Sequence, residues 1–192
     1  LMEPYFPGST IKGALKTVLM YNWLKTNKKA NETIERVING GNFDFLEKQF
    51  EYREDELTHN IIRKNTIQQV TDSSCIQKEN IVVVDCYRKM PIRFECIAKE
   101  NTAEFELTLE NYQWKKLAVQ ANDFAFEALG RELQILAEQG KNDTDYYSKI
   151  DELQEIINDC PKDINTAYLR IGFGKGFYLN SLGIAIYYYL VD

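Results

Sequence analysis

Four segments with strand-like composition follow one another between residues 66 and 110, and they constrain the fold more than any other feature of the chain. They read TIQQVTDSS, NIVVVDCYRK, PIRFECIA and AEFELTLE. In the last segment, Phe105, Leu107 and Leu109 alternate with polar residues, mostly glutamates, which is the two-residue period of a strand with one buried face. The sequence therefore predicts a mostly antiparallel sheet, in which KENTA forms the hairpin loop between the last two strands.

Helical patterns precede these strands. In the segment PYFPGSTIKGALKTVLMYNWLK, apolar residues recur every four positions, at Ile11, Leu15, Leu19 and Trp23. They predict an amphipathic helix with one apolar stripe and an N-cap at Ser9 or Thr10. The positive end of this helix suits either a bound phosphate or an ordinary capped helix start. Shorter helices are predicted over residues 31–38 and 43–52.

Helical patterns also follow the strands. From Trp114 to Glu138 the apolar positions fit one long helix, which Gly140 ends. A second helix is predicted from about Tyr146 to Asn158, before Pro161, so that the two form an antiparallel helical hairpin. Two β-like pieces, AYLRI and FYL, come next. The predicted fold class is α+β, in the order helices, sheet, helices, sheet.

Composition narrows the possible functions. The net charge of −6 counts against a protein that coats nucleic acid with its whole surface, although a local basic groove remains open. No apolar run reaches the ~20 residues that span a bilayer. A signal-peptide pattern is also missing, so we expect a soluble, cytoplasmic protein. The four cysteines form no CxxC pair and only one histidine accompanies them, so we expect reduced thiols, no metal and no cofactor.

Three glycines lie within five residues in the stretch RIGFGKGFYL. Gly172, Gly174 and Gly176 alternate between Arg170 and Lys175. A backbone without Cβ atoms can turn sharply or lie flat against a ligand. The spacing matches neither the GxGxxG fingerprint nor the GxxxxGK[ST] phosphate loop. A plain turn and a ligand-cradling loop both stay open, and the flanking cations favour an anionic ligand.

Few residues could act as an acid or a base. His59 is the only histidine, in the polar segment ELTHNIIRK, where a solvated side chain is the usual role. Asp72, in VTDSS, is either a turn residue that bonds to the backbone or an acid that acts on RNA. Arg88, Lys89 and Arg93 form a small basic cluster, which is either a solvated edge or an anion contact. No catalytic residue is predicted from these patterns.

Four segments, in the same order, resemble one family. EPYFPGSTIKGALKTVLM is similar to a P-Y-hydrophobic-P-G-S-S-hydrophobic-K-G-A-hydrophobic-R/K-T element, VTDSS to a V-S-D-S strand end, and MPIRFECI to an M-P-hydrophobic-Y-R-E-C-hydrophobic strand. AYLRIGFGKGFYLNSL resembles the glycine-rich loop of the same proteins. They are the repeat-associated mysterious proteins, or RAMPs, of CRISPR systems. The best match among them is the subunit at the 3′ end of the guide RNA in type III-A (Csm) effector complexes.

The resemblance implies a ferredoxin-like, RRM-like domain with a mostly antiparallel sheet and an inserted helical hairpin, over residues 1–192. Its parts would be a helical region at 9–52, a sheet region at 66–110, the hairpin at 112–159 and the glycine-rich loop at 170–178. The family carries a first strand before the PYFPG element and a second RAMP-like part after the glycine loop. We therefore expect the chain to be a fragment that lacks the first strand.

The resemblance also implies contacts with RNA, because the first helix and the glycine loop of the family lie near the bound guide. The predicted RNA-binding residues are Ser9, Lys12, Lys16, Arg88, Lys89, Arg170, Gly172, Gly174, Lys175 and Gly176. The expected function is a non-catalytic subunit that caps the 3′ part of the crRNA, with crRNA, other RAMP subunits and a host nuclease as partners. An endoribonuclease that uses His59 and Asp72 is one alternative. A nucleotide- or anion-binding module built on the glycine loop is the other.

Overall fold

The computed structural model describes residues 3–26, 30–40, 43–51, 66–87, 91–110, 112–160, 165–171 and 182–191. The elements in these ranges are α1 (Gly8–Thr26), α2 (Ala30–Gly40), α3 (Phe43–Glu51), β1 (Ile67–Val70), β2 (Ile81–Tyr87), β3 (Pro91–Ile97), β4 (Leu107–Leu109), α4 (Trp114–Glu138), α5 (Asp145–Asn158) and α6 (Gly183–Val191). A short 3₁₀ turn, Lys78–Asn80, precedes β2. The predicted α+β class is confirmed.

The chain groups into two compact units. The first comprises Leu1–Lys12 and Ile67–Thr108, and the second comprises Gly13–Thr66 and Leu109–Asp192. The strands lie mainly in the first unit, and the helices lie mainly in the second.

Two antiparallel pairs of strands are found among the described residues. β2 and β3 pair in a register that runs from Ile81 opposite Ile97 to Tyr87 opposite Pro91. β1 pairs with β4, and the backbone hydrogen bonds beyond the end of β1 show the direction. The Thr71 N–H donates to the Glu106 carbonyl at 3.0 Å, and the Ser74 N–H donates to the Glu104 carbonyl at 2.7 Å. Residue numbers thus rise on one strand while they fall on the other, as in an antiparallel pair.

The prediction that KENTA is a hairpin loop between β3 and β4 is wrong, because these strands pair with different partners. Glu100, within KENTA, has a left-handed φ of 67°. The chain then continues toward β1, where the hydroxyls of Thr71 and Ser74 accept hydrogen bonds from the N–H groups of Glu106 and Glu104. These side-chain acceptors hold the β4 segment beside β1 rather than beside β3.

In the second unit, α1 packs against α3 and α4. The predicted apolar stripe is buried at Leu15 and Leu19, and Val18 on the same helix is fully buried. The Trp23 ring meets the Phe50 ring edge-on, with centroids 5.8 Å apart. The Tyr21 ring lies 4.9 Å from the Phe124 ring. Aromatic pairs of this geometry add to the stabilisation from apolar burial.

The predicted helical hairpin is confirmed by α4 and α5. Their shared core consists of Leu129, Leu133, Ile150 and Ile157, against which Ala125, Tyr147 and Tyr168 pack. α4 ends as predicted before Gly140, whose φ of +65° is a conformation that glycine adopts without strain. The Thr144 hydroxyl accepts a hydrogen bond from the Tyr147 N–H at 3.2 Å and caps the start of α5.

The predicted final sheet is not found in the described residues. AYLRI is not a strand, and the backbone there bonds to α4: the Asn122 amide donates to the Thr166 carbonyl at 3.0 Å and accepts from the Tyr168 N–H at 2.9 Å. FYL lies outside the described residues. The last element is instead α6, in which Ile184 is fully buried. No helix in the described ranges is long and apolar enough to span a membrane.

Candidate nucleic-acid interface

Two of the sequence motifs, PYFPG and VTDSS, lie side by side in the first unit. The Phe6 N–H donates to the Ser73 hydroxyl at 2.8 Å, and the Ser73 N–H donates back to the Phe6 carbonyl at 2.9 Å. Close by on the same two segments, the Ile76 N–H donates to the Pro4 carbonyl at 2.7 Å. The turn that leads into α1 is thereby fixed to the residues that follow β1.

The start of α1 differs from the prediction. The helix begins at Gly8, one residue before the predicted N-cap Ser9, and the Pro7 carbonyl accepts from the N–H groups of Thr10 and Ile11. The cap comes from a distant residue: the Asp72 carboxylate accepts the Gly8 N–H at 2.7 Å. A carboxylate at this position is stabilised by the positive end of the helix. The N–H groups of Gly8, Thr10 and Ile11 are therefore bound within the chain, which favours the capped helix start over a phosphate site.

Gly8 is buried where it passes close to β1. A Cβ atom at this position would lie 2.3 Å from the Val70 carbonyl oxygen and 2.5 Å from the Thr71 carbonyl oxygen. Backbone oxygens cannot move aside as a flexible side chain can. Close approach of the backbone thus accounts for the glycine of the PYFPG motif.

The predicted RNA-binding residues of α1 have partners within their own units. The Lys12 ammonium donates to the Gln68 carbonyl at 2.9 Å, and the Lys16 ammonium pairs with the Glu51 carboxylate at 2.8 Å. Ser9 is exposed on the first turn. An ammonium group has three donors, so one intramolecular hydrogen bond leaves Lys12 able to bind a phosphate oxygen as well.

Arg170 bonds to a carboxylate that sequence reasoning missed. Glu132 of α4 is only 5% exposed, and it accepts hydrogen bonds from Arg170 at 2.6 Å and from the Tyr146 hydroxyl at 2.5 Å. Burial alone would lower the pKa of Arg170, but the charge of Glu132 and the hydrogen bonds to Glu132 and Tyr146 together outweigh burial and raise it. Burial, and then the hydrogen bond to Glu132, raise the pKa of Tyr146. In the sequence, the one sign that Glu132 is buried was its position four residues after Ala128, within the apolar stripe of α4.

The remaining predicted site residues fall elsewhere. Arg88, Lys89, Gly172, Gly174, Lys175 and Gly176 lie outside the described residues, as does His59. Arg93 is exposed on β3. Among the residues whose positions are described, no group of His, Cys, Asp and Glu side chains has the arrangement of a metal site.

Comparisons with known proteins identify the fold. No known family profile matches the chain, and no curated protein matches its sequence. The crystal structure of Csm5 from T. onnurineus is similar, with a TM-score of 0.60 and 18% identity over 98% of this chain and 65% of that one. A chain in the cryo-EM structure of a type III-A Csm–crRNA–target RNA ternary complex has a TM-score of 0.53 and 16% identity, over 95% of this chain and 60% of that one.

The chain spans less than two-thirds of the length of either protein. At such low identity the likeness concerns the fold. The chain shares its fold with these two Csm proteins, which confirms the fold expected from the resemblance of the four motifs. The particular protein whose fold it shares is Csm5.

Proposed function

We propose that the chain is a non-catalytic, RNA-binding subunit of a type III-A CRISPR interference complex. It holds and caps the 3′ part of the crRNA and supports crRNA maturation. Its partners are crRNA, the other RAMP subunits of the Csm complex and a host nuclease. The observation that carries this proposal is the fold shared, over 95% of the chain, with a protein whose structure was solved together with crRNA and target RNA.

The chemistry of the predicted contacts supports this role. RNA that is held without regard to its sequence is contacted through phosphates and 2′-hydroxyls, by cations and hydrogen-bond donors. Ser9, Lys12 and Lys16 are spaced three and four residues apart, which places them along one face of α1. Arg170 bonds to Glu132 and Tyr146, and its side chain is 33% exposed. All four residues are cations or hydrogen-bond donors, as contacts with phosphates and 2′-hydroxyls require.

The geometry favours a structural role for Asp72 over a catalytic one. General acid or base catalysis requires a group that reaches the reacting atoms. Asp72 Oδ1 instead accepts the Gly8 N–H at the start of α1, which is the helix that carries the predicted RNA contacts. We therefore propose that Asp72 shapes the RNA-binding surface and takes no part in cleavage.

Purification of the tagged protein from its source cell, followed by sequencing of the RNA that accompanies it, tests the proposal. We expect RNA derived from CRISPR repeats, with 3′ ends that become heterogeneous in cells without the protein. An intact complex without enriched RNA would contradict RNA binding. Unchanged 3′ ends would contradict the capping role alone, and tight binding of a mononucleotide would favour the anion-binding alternative.

A separate assay tests the non-catalytic role. The purified protein is incubated with repeat RNA and with target RNA, and the products are separated on a denaturing gel. We expect both RNAs to remain intact. Cleavage that is lost on Asp72→Asn or His59→Ala would show that the protein is an endoribonuclease.

A further inference from the structure

The net charge of the chain is concentrated in the helical hairpin. Residues 114–159 contain ten acidic and five basic side chains, a net charge of −5, whereas the whole chain has a net charge of −6. The rest of the chain is thus close to neutral, with a net charge of −1. Since RNA is a polyanion, the hairpin is poorly suited to bind it.

The same hairpin carries an exposed apolar surface, which we call the α5 stripe. It consists of Tyr146, Leu153 and Ile156, whose exposed fractions are 47%, 37% and 48%. The spacings of seven and three residues place these side chains on one face of α5. That face lies beside the buried face that carries Ile150 and Ile157. Because the core contacts of α5 are made by Ile150 and Ile157, these exposed apolar side chains are free to contact another protein.

Carboxylates border the stripe. Glu152 and Glu155 are exposed and adjoin Leu153 and Ile156 in sequence, and Asp145 is exposed beside Tyr146. Lys149, the one cation of α5, lies on the same face between Tyr146 and Leu153, and its charge is paired with Asp145 at 2.5 Å. An apolar surface with an acidic rim is complementary to an apolar surface with a rim of lysine and arginine.

We propose that the α5 stripe is the docking site for a protein component of the crRNA complex, one that offers an apolar surface bordered by lysine and arginine. This inference rests on the proposed function, because the partner belongs to the same ribonucleoprotein. It assigns the two recognition tasks to different parts of the chain. RNA is bound by residues outside the hairpin, which include Arg170, and the partner protein is bound by the outer face of α5 around Leu153 and Ile156.

Photo-crosslinking in the assembled complex tests the inference. A benzophenone amino acid replaces Ile156 in the tagged protein, the complex is purified from the source cell and irradiated, and crosslinked peptides are identified by mass spectrometry. We expect a protein crosslink to a peptide that combines apolar residues with lysine or arginine. The yield should fall at least tenfold when Leu153→Gln is combined with Glu152→Lys and Glu155→Lys.

Ile38→Gln provides the matched control, because Ile38 is an apolar residue of α2 with a similar exposed fraction of 43%. The crosslink yield should not change in this variant. A crosslink to RNA, to a second copy of the chain or to an acidic peptide would overturn the inference, as would the absence of any crosslink. The same preparation is analysed for crRNA. If crRNA is present but no crosslink forms, only this inference is refuted. If a crosslink forms but crRNA is absent, the proposed function is refuted.

Discussion

The backbone N–H of Gly8 and the carboxylate of Asp72 are 2.7 Å apart, although 64 residues separate them in the sequence. The bond joins the PYFPG element to the VTDSS element at the first residue of α1. It supplies a helix cap from outside the helix, and it places a negative charge at the positive helix end. The two motifs thus hold one another in position.

Asp72→Ala should lower the free energy of unfolding by about 1–2 kcal/mol, because the Gly8 N–H loses its acceptor and the helix end loses its compensating charge. Asp72→Asn should cost less, since the amide oxygen still accepts a hydrogen bond. Urea unfolding followed by circular dichroism measures both values. Equal stability of the Ala variant and the wild type would mean that the cap contributes nothing.

Gly8→Ala should destabilise the protein by about 1–3 kcal/mol, because the new Cβ would meet the backbone oxygens of Val70 and Thr71. Gly13→Ala is the matched control. A Cβ at Gly13 meets nothing within 4 Å, and alanine is the better residue inside a helix, so this variant should gain about 0.5–1 kcal/mol. Opposite signs in urea unfolding would support the close approach, and two variants of equal stability would contradict it.

Glu132→Gln should cost about 2–3 kcal/mol, since it removes the buried charge that pairs with Arg170 and weakens the acceptor of Tyr146. The value is at the low end for a buried pair because Arg170 is a third exposed. Tyr146→Phe removes one hydrogen bond and should cost about 1 kcal/mol. A double-mutant cycle measures the coupling between the two positions. Strict additivity would argue against a shared network.

Stability should fall as the pH rises above about 10, the ordinary pKa of a tyrosine. The pKa of Tyr146 is raised in the folded protein, so the folded protein holds this proton more tightly than the unfolded chain does. The contribution is fully present below that pH and is lost as the pH rises through the raised value. Urea unfolding at several pH values between about 8 and 11 measures the slope. The slope should be shallower in Tyr146→Phe and in Glu132→Gln, and identical slopes in all three proteins would refute the assignment.

Lys12→Gln combined with Lys175→Gln should weaken RNA binding about equally for unrelated sequences. The slope of log K against log salt should decrease by about 0.7 for each phosphate that the variant no longer neutralises. Lys141→Gln with Lys149→Gln removes the same charge from the hairpin and should leave the slope unchanged. Arg170→Ala is a poorer probe, because it also leaves the buried carboxylate of Glu132 without its cation. Filter binding with two unrelated guide sequences makes the comparison, and an unaltered slope in the first variant would count against these contacts.

Local patterns were sufficient to predict the helical hairpin. α4 has the predicted bounds, and α5 begins one residue before the predicted start. The signals that set these bounds are local: the apolar periodicity, Gly140 and Pro161 each lie within or next to the helix they define. Strand pairing was predicted less well. Whether β4 joins β1 or β3 depends on hydroxyl acceptors at Thr71 and Ser74, which are distant from β4 in sequence, and no local pattern reports such contacts.

The candidate site shows the same division between local and distant effects. The motifs around Gly8 and Asp72 could be recognised, but their mutual contact could not be read from spacing. Glu132 is a further example, because a single acid on an apolar stripe reveals neither that it is buried nor that Arg170 is its partner. α6 was missed because the aromatic run in IAIYYYLVD has little intrinsic preference for a helix, and burial of Ile184 stabilises it there.

The bonds between residues 4–8 and residues 72–76 also bear on how the chain folds. A contact that closes a loop of more than sixty residues incurs its full entropy cost before it gains any enthalpy, whereas the α4–α5 contacts close short loops. During synthesis the PYFPG turn must wait for the ribosome to release the VTDSS segment. We therefore expect the helical hairpin to belong to the fast phase of refolding, and the attachment of the N-terminal turn to belong to the slow one.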